Sequence, residues 1–481
     1  MLSNNIKRFL VSQIKCNIRT TSVRSLSSAE DISSVTVKPN KPIENHKGHY
    51  DVIIAGGGMV GCTLACALAK DPLLSNLKVL LLEGNANRDF KLKPEYSNRV
   101  VALNQNTKAL MKSLNIWKHV EMMRLQPVRH MQVWDACSDV MMAFSSAEMM
   151  DDDVAYIVEN DVLLHAINSE LNASNNSNVK IVYNAKIADC RLPQAGDSNP
   201  KSHVVMTNGD TYLCQLLIGA DGANSAVRKA MGVQYLSWSY EQMGVVATLN
   251  LAEDSANTTA WQRWLPTGPI AILPLDATRS SLVWSTWQDH AKHLLKLPED
   301  QFVDALNDAL WRQYPRSSGV EAVTSWMSTF LKRAGLPDGA SRQLPPSVCS
   351  IAPASRAAFP LGFGHSTRYV APGVALIGDA AHRVHPLAGQ GVNLGFGDVN
   401  DLIKFLSEAM YCGLEITHPN WMENYESARQ RHNVPTQLMI EMLHRVYTVD
   451  LMPIVLARSV GVQITNALQP LKKMIMSHAT T

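Results

Sequence analysis

The run Asp51-Val52-Ile53-Ile54-Ala55-Gly56-Gly57-Gly58-Met59-Val60-Gly61 constrains this chain more than any other stretch. It reads as a short apolar strand, a glycine turn and a helix running to about Lys70. Gly56, Gly58 and Gly61 fit G-x-G-x-x-G, and a second apolar strand, Lys78 to Leu82, ends in Glu83. The first glycine makes the tight turn, the second lets backbone approach a pyrophosphate, and the third lets helix pack on strand. The helix N-terminus then faces the anion. Glu83 lies near the expected distance of about 20 residues past the turn, where a carboxylate takes ribose hydroxyls. An ADP-containing dinucleotide is expected here, NAD or FAD. Val52 to Ala69 is also uncharged and of membrane-spanning length, but glycines clustered at its corner argue for a buried βαβ unit.

A chain of 481 residues with 46% hydrophobic content can bury two domains, or one with a large insertion. Its formal net charge of +2 gives no nucleic-acid surface. Eight cysteines without CxxC pairs indicate a reducing compartment and no disulfide framework. Residues 1–29 differ in kind. Lys7, Arg8, Lys15, Arg19 and Arg24 stand among serines and threonines with no acid before Glu30, and Ile6, Phe9, Leu10 and Ile14 share a helical face. That is the pattern of a mitochondrial transit peptide; a plain disordered tail is the alternative. Residues 30–48 read as linker.

After Glu83, Ser97 to Leu103 places Arg99 before an apolar helix start, either as a surface cation or as cover for a cofactor. Residues 127–157 alternate as strands and break the βα rhythm. Helical spacing returns from Val158 to Leu171, followed by strands at Val179–Ala185, Ser202–Thr207 and Tyr212–Ile218. The last runs into Gly219-Ala220-Asp221-Gly222-Ala223-Asn224-Ser225-Ala226-Val227-Arg228, an acid and glycines at a strand's carboxyl end. From about Gly232 to Ser350 the pattern is β-rich and aromatic, with one helix at 299–315.

Val374 to Gly395 is the most informative stretch. A buried strand delivers Asp379, and a glycine-rich turn starts a helix near Gly391, with free backbone N–H groups at its mouth. Such a dipole stabilises negative charge as an oxyanion hole does. His382 and His385 lack a third ligand, so no metal is expected; they line the loop or tune its edge. Beyond residue 412 the tail is helical. Tyr425, Arg429 and Arg431 are expected as docking contacts, and Met439, Met442, Leu443 and Val446 as an apolar stripe. Leu451 to Met476 is apolar too, interrupted by Pro453 and Pro470, and this tail is either core or a membrane-surface or partner face.

Together the three motifs resemble the para-hydroxybenzoate hydroxylase class of FAD-dependent aromatic monooxygenases, and specifically its mitochondrial ubiquinone-biosynthesis branch. The resemblance rests on Gly378-Asp379-Ala380-Ala381-His382 through His385–Gly395, on Gly219–Gly222 with Ser225 and Arg228, and on Ser97–Leu103. It implies an α/β fold: a Rossmann-type FAD-binding domain (49–126, 156–231 and 350–411), an inserted β-sheet substrate domain (127–155 and 232–349) and C-terminal helices (412–481). It implies FAD rather than NAD. Gly56, Gly58 and Gly61 would hold the pyrophosphate and Glu83 the ribose, with Arg99, Asp221 and Gly222 along the cofactor. Asp379 would meet the pyrophosphate and ribityl chain. Gly389, Gly391, Val392, Asn393 and Leu394 would border the isoalloxazine, with Pro386 and Asn393 in backbone and loop roles in catalysis.

The implied reaction is hydroxylation at ring C5 of a polyprenylated hydroxybenzoate-type phenol by O2, through a flavin C4a-hydroperoxide. Electrons would come from a ferredoxin with its reductase, or from NAD(P)H. The implied setting is a ubiquinone-biosynthesis complex, peripheral on the matrix side of the mitochondrial inner membrane. Two other readings stand beside it: a same-fold monooxygenase or epoxidase acting on another lipid, and a non-redox flavin-fold binding protein.

Overall fold

The computed structural model describes residues 46–472 apart from 88, 139, 150–152, 174–177, 194–200, 253–255, 315–317, 335–343, 469 and 471. The expected transit peptide lies outside the described residues. The first strand opens at His46, so the last three residues of the expected linker belong to the fold.

An eight-stranded sheet carries the glycine turn. Its main order is Val370–Ala371, Val374–Leu376, Thr211–Gly219, His46–Ala55, Val79–Leu82 and Val179–Val182. From Val374–Leu376 onward the pairings are parallel. Val52, Ile53, Ile54, Val79, Leu80 and Leu81 are fully buried, as strands covered on both faces require. The helix Met59–Lys70 is almost wholly buried over this sheet. Two antiparallel strands, Ser202–Met206 and Ile187–Arg191, extend it.

A nine-stranded sheet forms the second layer. Its long strand Tyr235–Leu251 pairs antiparallel with Arg279–Trp287, Ala357–Ser366 and Val348–Ile351. Gly268–Pro274, Thr259–Leu265, His130–Asp135 and Met141–Ser145 complete one side. Trp134, Trp261 and Trp284 pack in its core with Phe302 and Leu306. A three-stranded sheet joins Val100–Leu103, Ala155–Glu159 and Gln126–Val128.

Several local expectations change. The segment from Val158 starts as strand, and its helix begins only at Asn160, because Val158 pairs with Val101. The β-rich middle contains three helices, Gln288–Lys296, Glu299–Trp311 and Ser318–Arg333, where periodicity gave one. Strand Ala357–Ser366 pairs into the nine-stranded sheet rather than joining the cofactor domain expected over 350–411. Likewise Gln126–Val128 joins the small sheet. Three helices close the chain: Gln390–Tyr411, Pro419–Tyr447 and Met452–Ala467.

Candidate functional site

The parallel registers bring the motifs to one edge. Ala55 lies opposite both Gly219 and Leu82, and Gly219 lies opposite Leu376. The glycine turn, Glu83, the Asp221 loop and the Gly378-Asp379 turn therefore leave the carboxyl ends of four adjacent strands, where ligands of open α/β sheets bind.

The three turn glycines have different reasons. A Cβ on Gly56, whose φ is +109°, would meet Ala220 O at 2.3 Å, and one on Gly61 would meet Gly56 O at 2.0 Å. Both are fixed by the protein's own packing. A Cβ on Gly58 would meet nothing within 4 Å. Gly58 is exposed at the N-terminus of Met59–Lys70, so the protein alone places no demand for glycine there. Gly57 N–H donates to Glu83 Oε2 at 2.9 Å, which aims that carboxylate at the turn.

Asp221 Oδ2 accepts from Ala226 N–H at 2.6 Å, while its Oδ1 is buried without a partner among the described residues. Gly222 (φ +78°) again has open space at its Cβ position. Arg228 ties this loop to the late motif. It donates to Ala380 O at 2.7 Å and Ala223 O at 2.6 Å, with its guanidinium 3.7 Å over the Tyr235 ring.

Asp379 is accessible to solvent, yet burial is the leading cause that raises its carboxyl, only partly offset by His382 and Arg383. Protein walls with an open front describe the floor of a cleft. Asn393 is buried and its side chain is fully engaged. It accepts from Asn104 N–H and Thr107 Oγ1–H and donates to Ala102 O and Gly389 O. It thus clamps the start of Gln390–Tyr411 to the segment following Arg99, and any ligand meets the helix's N-terminal backbone rather than this amide. Gly389, with φ +62°, caps that helix. Gly391 and Val392 are half-buried in its first turn, and Leu394 is buried. Pro386 is half-buried in a short 3-10 turn, its carbonyl accepting from Gly389 N–H at 3.3 Å with one lone pair to spare. Arg99 is exposed, with no side-chain partner among the described residues.

The two loop histidines divide. His382 is buried and meets Asp398 Oδ2 at 2.6 Å; the same oxygen accepts from Gly378 N–H at 2.8 Å. Arg429 and Asn433 donate to Asp398 Oδ1, and His382 and Arg429 hold its carboxyl down at about 2 despite burial. Arg429 and Tyr425 are docking contacts as expected, Tyr425 reaching Leu376 O at 2.9 Å; Arg431 is exposed. His385 instead shares Gln242 Oε1 with His444, beside the Tyr240 ring. Burial, then the His444 charge, lowers His385 to about 3. No group of metal-binding side chains occurs among the described residues.

Sequence reading missed Asp398, Gln242, Gln262 and His444. Gln262 donates to Leu387 O, joining the nine-stranded sheet to the loop. Asp398 did leave a signal: with Leu394, Leu402 and Leu406 it recurs every four residues, an acid within a core stripe. The glutamines and His444 come together from distant segments and left none. A cavity of ≈ 630 Å³ lined by Asn307, Asp308, Trp311, Arg312 and Ser347 includes none of the motif residues.

The FAD binding domain family matches residues 49–334 and 351–439. A relative described as "Ubiquinone biosynthesis monooxygenase COQ6, mitochondrial" from Danio rerio is 46% identical over 461 residues, covering 95% of this chain and 93% of its own. Its counterpart from Drosophila melanogaster is 45% identical over 463 residues, covering 96% of each chain. The chain belongs to the FAD-dependent ubiquinone biosynthesis monooxygenases. It is an oxidoreductase of the aromatic monooxygenase type, and FAD is its cofactor. Among solved structures, p-nitrophenol 4-monooxygenase PnpA from Pseudomonas putida DLL-E4 aligns at TM-score 0.64 and 15% identity, over 90% of this chain and 98% of that one. PqsL from Pseudomonas aeruginosa aligns at TM-score 0.61 and 19% identity, over 86% and 100%. At those identities both speak for the fold, which is the para-hydroxybenzoate hydroxylase-like one.

Proposed function

We propose that this monooxygenase hydroxylates ring C5 of a polyprenylated hydroxybenzoate-type phenol, and that the carboxyl edge of the eight-stranded sheet holds its FAD. The observation that carries this reading is the convergence of Glu83, Asp221 and Asp379 with the Gly58 turn on that one edge. Open space at Gly58 and Gly222, and the unpartnered Asp221 Oδ1, fit a ligand lying along it.

In this reading Gly56, Gly58 and Gly61 present the N-terminus of Met59–Lys70 to the pyrophosphate. Glu83 takes the adenosine ribose, Arg99 lies along the cofactor, and Asp379 meets the ribityl side. The backbone of Gly389–Leu394, at the mouth of a 22-residue helix, stabilises negative charge at the flavin's edge. When bound and reduced, FAD supplies the activation of O2 needed to place one oxygen atom on the ring. The chain's own tasks are to orient the ring under the Pro386–Leu387 loop and to exclude water. Trp264, Leu387 and Ile440 pack into one apolar cluster there. We assign the nine-stranded sheet to the substrate side.

Electrons are assigned to a ferredoxin with its reductase, with NAD(P)H as the alternative donor. The setting is a ubiquinone-biosynthesis complex in the mitochondrion, peripheral on the matrix side of the inner membrane. No described helix is long and apolar enough to cross a membrane. Mass spectrometry of quinone-pathway lipids from cells lacking the chain tests the reaction. A prenylated intermediate missing the C5 oxygen is expected to accumulate while ubiquinone falls. Unchanged ubiquinone overturns it.

A further inference from the structure

The longest strand of the nine-stranded sheet breaks its register beside the site. In Tyr235–Leu251, Ser239 pairs with Gly362 and Met243 with Pro360, so Tyr240, Glu241 and Gln242 stand against Leu361 alone. Glu241 takes φ +56°, a left-handed backbone that a side chain with a Cβ disfavours. Such bulges re-aim side chains and gather next to active sites, where their surroundings hold the strain in place. This one turns Tyr240 and Gln242 towards the Pro386 loop and the helix Pro419–Tyr447.

Gln242 is fully buried, and its neighbours orient its amide. Nε2 donates to Thr267 O at 3.3 Å, a carbonyl that can only accept. Oε1 therefore faces His385 Nε2 at 3.3 Å and His444 Nε2 at 3.0 Å, and both rings donate to it. The Nδ1 atoms of both rings are buried without a partner among the described residues. Each imidazole thus spends its ring N–H on the same oxygen. That oxygen has no proton to hand on, so the cluster is no proton wire. What it does is fix position. Tyr240 closes it, with its ring 4.9 Å from His385 and 4.6 Å from His444 and its hydroxyl donating to Glu441 Oε2 at 2.7 Å.

We propose that Gln242 is a positioning residue: acting through His385, it sets where the Pro386 carbonyl stands, with Gln262 holding the other side of the loop. Pro386 lies between two anchors, Gln242 on the His385 ring and Gln262 Nε2 on Leu387 O at 3.2 Å. Both glutamines belong to the nine-stranded sheet. Beyond them, Asn393 ties Gly389 O to Ala102 O and Thr107 Oγ1–H on the cofactor side. The loop is therefore held by one sheet before Ala388 and by the cofactor-side segment after it. A ring lying between sheet and loop has its distance to the cofactor set by these two glutamines. That step rests on the functional reading above; the clasp itself does not.

The test compares Gln242→Met, which keeps the shape and removes the amide, with Q242M/H385L/H444L, which also removes the two donors left unpaired. An unpaired buried donor destabilises, whereas apolar groups of like shape throughout restore stability. Q242M is expected to melt lower and the triple variant to regain most of that loss. In the FAD-loaded chain without substrate, amide hydrogen exchange over 385–392 should run at least about tenfold faster in both variants, with Gly56–Gly61 unchanged. The chain is then chemically reduced and given O2 with a short-tailed hydroxybenzoate-type phenol. Product formed per O2 consumed should fall at least about tenfold in both, the remainder appearing as hydrogen peroxide, since about 1 Å of misplacement can slow a reaction a hundredfold. This ratio does not depend on how much of the sample is folded. A ratio that returns with melting in the triple variant, or loop exchange equal to the parent's, overturns the proposal. Gln262→Met leaves the histidines and Gln242 in place and decides the matter should those variants not fold. It should lower the ratio about threefold, the scale of one neutral hydrogen bond, and a parental ratio with parental exchange overturns the proposal too. A parent that makes no product removes the functional reading instead, and the exchange rates still judge the clasp.

Discussion

His382 and His385 stand three residues apart on one loop and live in opposite surroundings. His382 sits within a charged network, Asp398 and Arg429 holding each other and the Gly378 turn. His385 sits beside Gln242, Tyr240 and His444, with no carboxylate or arginine bonded to it, and burial, then the neighbouring His444, keeps it unprotonated. In the proposed reading the difference follows from what each side would hold. The Asp379 side would need a fixed turn facing a polar, anionic cofactor, and a buried ion pair defines geometry even where it adds little net stability. The Pro386 side would need a dry, uncharged wall for the substrate ring, which a buried imidazolium would spoil.

The largest expected effect breaks the charged half. Asp398→Ala removes the buried carboxylate that His382, Asn433 and the Gly378 turn meet and leaves Arg429 with Asp401 alone, at a cost of about 3–5 kcal/mol. Thermal denaturation should show that loss, and flavin absorbance after gel filtration should show an FAD-poor protein. A variant with parental melting would detach Asp398 from the account.

Acid titration separates the two halves next. The folded pKa of His385 is depressed from 6.5 to about 3, so the unfolded chain takes up a proton first as pH falls. Its contribution is complete above 6.5 and is lost progressively down towards 3, amounting to roughly a few kcal/mol. Asp398 is depressed from 3.8 to about 2; its contribution holds above 3.8 and fades only below that. Denaturant melts against pH should show His385→Gln flattening the slope between 6.5 and 4 and leaving the lower window unchanged. Identical slopes would merge the two halves.

Smaller effects sharpen the cofactor side. Asp379→Asn is expected to weaken FAD binding about tenfold, the scale of one charge-assisted hydrogen bond, with little change in apo-protein melting. Flavin fluorescence titration measures it. Gly58→Ala should act on FAD affinity alone, since its Cβ meets no protein atom, whereas Gly61→Ala should damage folding itself. Equal losses of apo stability in both would remove the distinction between ligand-facing and packing glycines.

The same contrast explains what the sequence revealed. Strand, turn and helix around Gly56–Gly61 depend on neighbours a few residues away, so their spacing shows in the chain and the structure repeats it. The role of Asn393 was only half legible. Its place at a helix start was local, but its clamp on Ala102, Asn104 and Thr107 joins segments almost 300 residues apart. His382 pointed to the loop's edge, while its partner Asp398 turned it into a buried ion pair. The apolar stripe of Met439, Met442 and Leu443 was visible as periodicity. Which way it faces depends on Gln242 and Asp135 drawing the polar sides of the helices inward.

The most direct measurement of the central claim is a single turnover of the FAD-loaded, reduced chain with a prenylated hydroxybenzoate-type phenol under heavy-oxygen-labelled O2. The account predicts a ring-hydroxylated product carrying one labelled oxygen atom at C5. Flavin reoxidation that yields only hydrogen peroxide and leaves the ring unlabelled would contradict it.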